Sequence, residues 1–291
     1  METEISEAGG RRCQPGEGAV AKRRVFLLFF AIDAVFIAAV GLYLLVHLHH
    51  KHVDHPIPPV PVPTYIAHAG GGIGKMAYTN SRDAFDANYR RGHRFFEFDL
   101  NWTSDGQLVL IHDWQGNFRD LFPTSKIALP PSLDEFLRLK MRNNLTPMSF
   151  AGLADWLRTH PGARIVTDVK EDNLRALGKI AADYPDLVDR IIPQIYAFEE
   201  YEPVWDMGYG NIILTLYAKN YADEPVLNFA RNRRLFGVTM WIERAMGALP
   251  RELKKLNIPV FVHTVNWPEE QKKLESNGVS GFYTDFLGGK E

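Results

Sequence analysis

Cysteine is almost missing. Cys13 is the single one in 291 residues, which excludes an intrachain disulfide and any cysteine-built metal centre. An excess of basic charge is missing too. The 33 Lys and Arg are offset by 35 Asp and Glu, for a net charge of −2, so the electrostatic footprint of a nucleic-acid-binding surface is not there. What the chain does have is apolar material, 46% hydrophobic and 12% aromatic residues. That is enough to bury a full core, either as one large α/β barrel or as two modest domains.

The apolar residues are distributed unevenly. Residues 25–48, VFLLFFAIDAVFIAAVGLYLLVHL, form one run interrupted by Asp33. At about 1.5 Å per helical residue this run can cross a hydrocarbon core of about 30 Å. Lys22, Arg23 and Arg24 precede it, whereas the far side is mainly histidine with Lys51. The positive-inside rule therefore predicts a single transmembrane helix over 25–48, residues 1–24 as a cytoplasmic tail, and the C-terminal bulk outside, in a periplasmic or extracellular position. The run is longer than the apolar part of a signal peptide, and no small cleavage-site residues follow it, so an uncleaved anchor is expected. Residues 49–63 read as a His- and Pro-rich linker. Its PIPPVPVP segment, extended at about 3.1 Å per residue, spans about 25 Å.

From Thr64 onward, strand-like and helix-like segments alternate. Strands are expected at 64–68, 93–100, 164–169, 189–195, 211–216, 236–241, 259–264 and 281–284, with helices between them. Ser149 is placed to cap a helix bearing Phe150, Leu153, Trp156 and Leu157. A following helix carries Leu174, Leu177, Ile180 and Ala181. This pattern predicts a (β/α)8 TIM barrel over 64–291. Residues 113–148 form an inserted segment that opens a capping box at Ser132 to Glu135.

The chemistry-bearing residues cluster early in that domain, in AHAGGG and FEFDLNWTSDGQLVLIHD. Two-residue alternation sets Glu97 and Asp99 on one face of a strand, with Phe96, Phe98 and Leu100 on the other. Two carboxylates pointing into a sheet interior need a cationic partner, and a hard divalent ion suits oxygen ligands. Asp105-Gly106 is a two-residue hairpin signal. A turn centred there would set Asp99 opposite His112, returning an imidazole to the acids. Asp168 and Lys170 share a face at the end of the third barrel strand. Trp241, Asn266 and Tyr217 fall at later strand ends, where substrate contacts form in barrels.

The stretch from His68 to Asp113 resembles the glycerophosphodiester phosphodiesterase family, itself similar to phosphatidylinositol-specific phospholipases C and sphingomyelinase D-type enzymes. The resemblance covers roughly 64–287 and ends in GVSGFYTDFL, which is similar to the family's closing strand. It implies a phosphoric diester hydrolase with His68 and His112 as acid–base pair. It implies Glu97, Asp99 and Asp168 as ligands of Ca2+ or Mg2+, with Lys170 contacting phosphate. The chain departs from the family pattern in carrying Ala69 where an Arg is usual, Asp168 where Glu is frequent, and Thr79-Asn80-Ser81 in place of Glu-Asn-Thr. The expected activity is hydrolysis of a glycerophosphodiester, phospholipid or related envelope substrate. The alternatives are phospholipase D-like or sphingomyelinase D-like headgroup cleavage, and a non-catalytic barrel that binds envelope lipid or glycan.

Overall fold

The computed structural model of the protein describes residues 60–289. The expected tail, membrane span and most of the linker lie outside them. Among the described residues no helix is long and apolar enough to cross a membrane. The described residues form nine strands: β1 (Tyr65–Ala67), β2 (Phe95–Trp102), β3 (Leu108–Leu110), β4 (Arg164–Val169), β5 (Ile191–Ile195), β6 (Ile213–Thr215), β7 (Gly237–Trp241), β8 (Val260–His263) and β9 (Gly281–Thr284). Eight of them pair in parallel, in the order β1-β9-β8-β7-β6-β5-β4-β2, and a β1–β2 pairing closes the ring. β3 is antiparallel and attached to β2 alone. Each of the eight expected strands occupies its place in this barrel.

The helices follow from capping and apolar stripes. α1 (Arg82–Arg90) is capped by Ser81, whose side chain accepts from the Ala84 N–H. In the insertion, α2 (Gly116–Leu121) is followed by α3 (Leu133–Arg138) with the Ser132/Glu135 capping box in place. α4 (Phe150–Thr159) starts at Ser149, which accepts from the Gly152 N–H, and it buries Phe150, Leu153, Trp156 and Leu157. α5 (Asn173–Asp183) buries Ala176, Leu177 and Ile180.

Three apolar layers result. The largest lies between the barrel's outer face and its helices, and it takes in Phe96, Phe98 and Leu100. A second fills the barrel floor with Ile66, Phe95, Val166, Ile192, Ile213, Phe261 and Tyr283. The insertion has a core of its own, built from Phe118, Leu121, Phe122, Phe136 and Met141 against Val109 and Ile111. Above the floor, strand alternation turns polar side chains inward: Glu97 and Asp99 from β2, Asp168 from β4, Gln194 from β5, Thr215 from β6 and Thr239 from β7, all buried. The Thr215 hydroxyl donates to Gln194 Oε1 at 2.6 Å. The barrel is thus closed by hydrocarbon at one end and lined by polar groups towards its strand-exit mouth, where such barrels place their chemistry.

The hairpin departs from expectation by one residue. Leu100 faces Leu110 and Trp102 faces Leu108, so Asp99 lies opposite Ile111, whose N–H donates to the Asp99 carbonyl. His112 comes one position later. The loop holds three residues, Ser104 to Gly106, with the Gly106 N–H bonded to the Thr103 carbonyl and Gly106 at φ 70°. Glycine supplies that left-handed conformation at no steric cost. The Thr103 hydroxyl fixes the register by accepting from the Gln107 N–H and donating to Asp105.

Candidate active site

Glu97, Asp99 and Asp168 lie side by side at the mouth, Asp99 directly across from Asp168 in the β2–β4 ladder. One oxygen from each falls within 4.8 Å of the others, and all three residues are buried. Their other contacts are fixed. Glu97 Oε2 accepts from the Ala69 N–H at 2.9 Å. Asn80 clasps Asp99, its Nδ2 donating to Asp99 Oδ2 at 2.8 Å while its Oδ1 accepts from the Asp99 N–H. The Tyr196 hydroxyl donates to Asp168 Oδ1. Lys170 Nζ stands 2.7 Å from both Asp99 Oδ1 and Asp168 Oδ2. Burial alone would favour the neutral amine, yet these two acids hold the Lys170 pKa above its ordinary value.

One lysine does not balance three acids. Burial, followed by the Asp99 charge, pushes the Glu97 carboxyl up to about 8. An all-oxygen donor set with surplus negative charge fits a hard divalent cation such as Ca2+ or Mg2+. Glu97, Asp99 and Asp168 would hold it.

His68 follows β1 in a short 3-10 turn, and its Nδ1 donates to Asp285 Oδ1 at 2.9 Å. Its Nε2 lies 4.0 Å from Glu97 Oε2. Burial disfavours the imidazolium, but the Asp285 hydrogen bond and the charges of Glu97, Asp285 and Asp99 outweigh it, and the His68 pKa rises to about 9. Asp285 follows β9 and is itself held by Asn266. Asn266 Nδ2 donates to Asp285 Oδ2 at 2.7 Å, and its Oδ1 accepts from the Asp285 N–H and the Thr284 hydroxyl. Asn266, expected at the substrate, is placed here as the brace of an acid.

His112 is less enclosed. Its Nδ1 donates to Asp113 Oδ2 at 2.8 Å, and Asp113 Oδ1 accepts from the Gln115 and Asn117 N–H groups. Burial works to raise the Asp113 pKa, but His112 and those backbone donors bring it below the usual value. The two histidines do not touch. The Tyr78 ring sits between them, with centroids 4.8 Å from His68 and 4.9 Å from His112. Asn117, from the insertion, bonds both the His112 N–H and the Tyr78 carbonyl, so the inserted segment braces this wall of the site.

Trp241 and Tyr217 line the opposite wall. The Trp241 ring stacks on His263 at 4.2 Å, and Tyr217 lies 5.0 Å from the same imidazole. Burial and the His68 charge lower the His263 pKa to about 4. The glycine run does not offer a row of free N–H groups: Gly71 donates to the His68 carbonyl and Gly72 to the Asp285 carbonyl. Gly71, at φ 84°, packs so closely on Asn88 that a Cβ would meet its side-chain nitrogen. Ala69 is fully buried, and position 69 brings only its N–H, already on Glu97.

Asp285, Asn80, Tyr78 and Tyr196 were not among the residues expected from sequence. The same strand-exit rule, applied to the TDF that closes β9, would have found Asp285.

Residues 71–179 match the model of the Glycerophosphoryl diester phosphodiesterase family. The matched stretch, 109 of the chain's 291 residues, is similar to that family. Solved structures share the fold. A glycerophosphodiester phosphodiesterase from Thermotoga maritima superposes with a TM-score of 0.57 at 18% identity, over 78% of this chain and 96% of that one. One from Parabacteroides distasonis gives 0.60 at 17% identity, over 76% and 92%. A candidate member from Galdieria sulphuraria gives 0.63 at 17% identity, over 78% and 95%.

Proposed function

We propose that the protein hydrolyses a phosphodiester bond in a glycerophosphodiester, phospholipid or related envelope substrate, using His68 and His112 as proton donor and acceptor with a divalent cation. The observation that carries this reading is His68, hydrogen-bonded to Asp285 and set against a buried acidic trio at the barrel mouth. With its pKa near 9, His68 keeps a proton on Nε2 at neutral pH and suits the role of general acid towards the leaving alkoxide. His112 donates its Nδ1 hydrogen to Asp113, which leaves Nε2 free to accept the proton of the attacking hydroxyl or water. The new P–O bond forms as the old one breaks, and one proton enters at His112 while another leaves from His68. A cation held by Glu97, Asp99 and Asp168 would supply charge neutralisation at the phosphate oxygens. Lys170 lies beside those acids and adds positive charge that Ala69 does not provide.

The experiment is hydrolysis of bis(p-nitrophenyl) phosphate with Ca2+, Mg2+ or chelator. His68→Ala and His112→Ala are each expected to lose about 10²-fold or more in kcat. Variants as active as the parent would end the acid–base assignment. The apolar run at 25–48 supports a single-pass anchor in the cytoplasmic membrane with the barrel outside, and a reporter fused after Glu291 tests it. Reporter activity on the cytoplasmic side would reverse that topology.

A further inference from the structure

Few large apolar side chains are exposed among the described residues, and they are not scattered. Every exposed aromatic in that set belongs to one arc of the barrel mouth: Trp241 at 51%, Trp267 at 70% and Phe286 at 41% exposure, with Met246 at 39% beside them. Trp241 ends β7, Met246 follows the short helix after it, Trp267 sits in the loop after β8, and Phe286 follows β9. These three strands are neighbours in the ring. The remaining exposed large apolar residues are Val62, just before β1, and Leu129 and Leu137 in the insertion.

The rim is fastened to the catalytic side chains. Trp241 stacks on His263. Trp267 is joined in sequence to Asn266, which braces Asp285, and Phe286 directly follows Asp285. The Phe286 ring lies over Gly72, where any Cβ would collide with it. The rings therefore stand out from a rigid base. Exposed aromatic rings that cluster in this way mark an interaction site. Tryptophan favours the headgroup level of a bilayer, where part of its ring is apolar and its N–H stays wet.

The sequence says which surface is within reach. The membrane-span candidate ends at residue 48, and the linker at 49–63, fully extended at about 3.1 Å per residue, allows the barrel roughly 45 Å of travel. We propose that Trp241, Met246, Trp267 and Phe286 seat the barrel mouth on a phospholipid bilayer, so that the phosphodiester entering the site is one presented at the lipid surface. The substrate part of this rests on the phosphodiesterase reading; the docking part does not.

The test uses the full chain reconstituted into phosphatidylcholine vesicles that carry dibrominated acyl chains. The segment 25–48 contains no tryptophan, so quenching of emission reports on the barrel. Trp102 and Trp156 are buried and Trp114 and Trp205 half-buried, which leaves Trp241 and Trp267 as the rings that bromine can reach. The expected result is strong quenching in the parent and at least a threefold smaller quenched fraction in Trp241→Gln/Trp267→Gln, with the thermal melt of the variant unchanged. Equal quenching in parent and variant, or none in either, overturns the proposal. So does rim burial by a second copy, seen as concentration-dependent dimerisation that the double variant abolishes while vesicle quenching stays absent. A protein that is quenched but hydrolyses no phosphodiester would sink the catalytic reading and leave the docking standing.

Discussion

Replacing Glu97 by Gln should stabilise the metal-free protein and abolish its response to divalent ions. The side chain keeps its shape and an oxygen for the Ala69 N–H, but loses the charge that faces Asp99. In the fold the Glu97 carboxyl stands at about 8 against an ordinary 4.5. A carboxyl raised in this way stabilises the fold most below pH 4.5 and loses that contribution as pH climbs to about 8. Holding its proton at pH 7 costs about 1.4 kcal/mol for each pH unit above 4.5, or roughly 3 kcal/mol in all. For a domain of this size that corresponds to about 6–12 °C in Tm. The assay is thermal unfolding at pH 5, 7 and 9 with EDTA or with millimolar Ca2+ or Mg2+. In EDTA the parent should melt lower as pH rises, and His68 acts in the same direction because its proton is lost through pH 9. Glu97→Gln should melt higher than the parent at pH 7, with the gap closing at pH 5. Added cation should raise the parent and leave the variant unmoved. A variant that melts below the parent in EDTA, or that gains as much from cation, would refute the account of a site with surplus negative charge.

Asp285→Asn should lower kcat about 10²-fold and move the alkaline limb of the pH–rate profile to lower pH, because His68 loses the hydrogen bond that raises its pKa; an unmoved limb counts against the pairing. Trp156→Ala empties a fully buried position in the helix–barrel layer and should cost about 3–5 kcal/mol in urea unfolding. Ser132→Ala removes a capping box from α3 and should cost about 1 kcal/mol, with activity retained.

The barrel was legible because parallel strands buried on both faces read as short apolar runs, and here turn residues and amphipathic helices separated them cleanly. The carboxylate pair was legible for the same reason, since alternation along FEFDL leaves no choice of face. The hairpin register was not. It depended on Gly106 becoming the third loop residue, with Thr103 hooking Gln107, and Asp-Gly serves two- and three-residue loops alike. Asn80 and Tyr78 sit in an irregular loop with positive φ, where no periodicity exists to read. Asn266 was found as a strand-end residue, but its braced acid follows a different strand, and only the β8–β9 pairing joins them.

The first strand of the barrel pairs with the last, β1 with β9, through Tyr65–Ala67 and Phe282–Thr284, and His68 meets Asp285 just past that pairing. First and last strands of the domain therefore complete the imidazole's support together. A ribosome-bound chain still short of its final strand would already carry the acids and His112, yet its leading histidine would lack a partner. On the proposed reading of His68 as the general acid, proton donation would be withheld until synthesis of the domain is done.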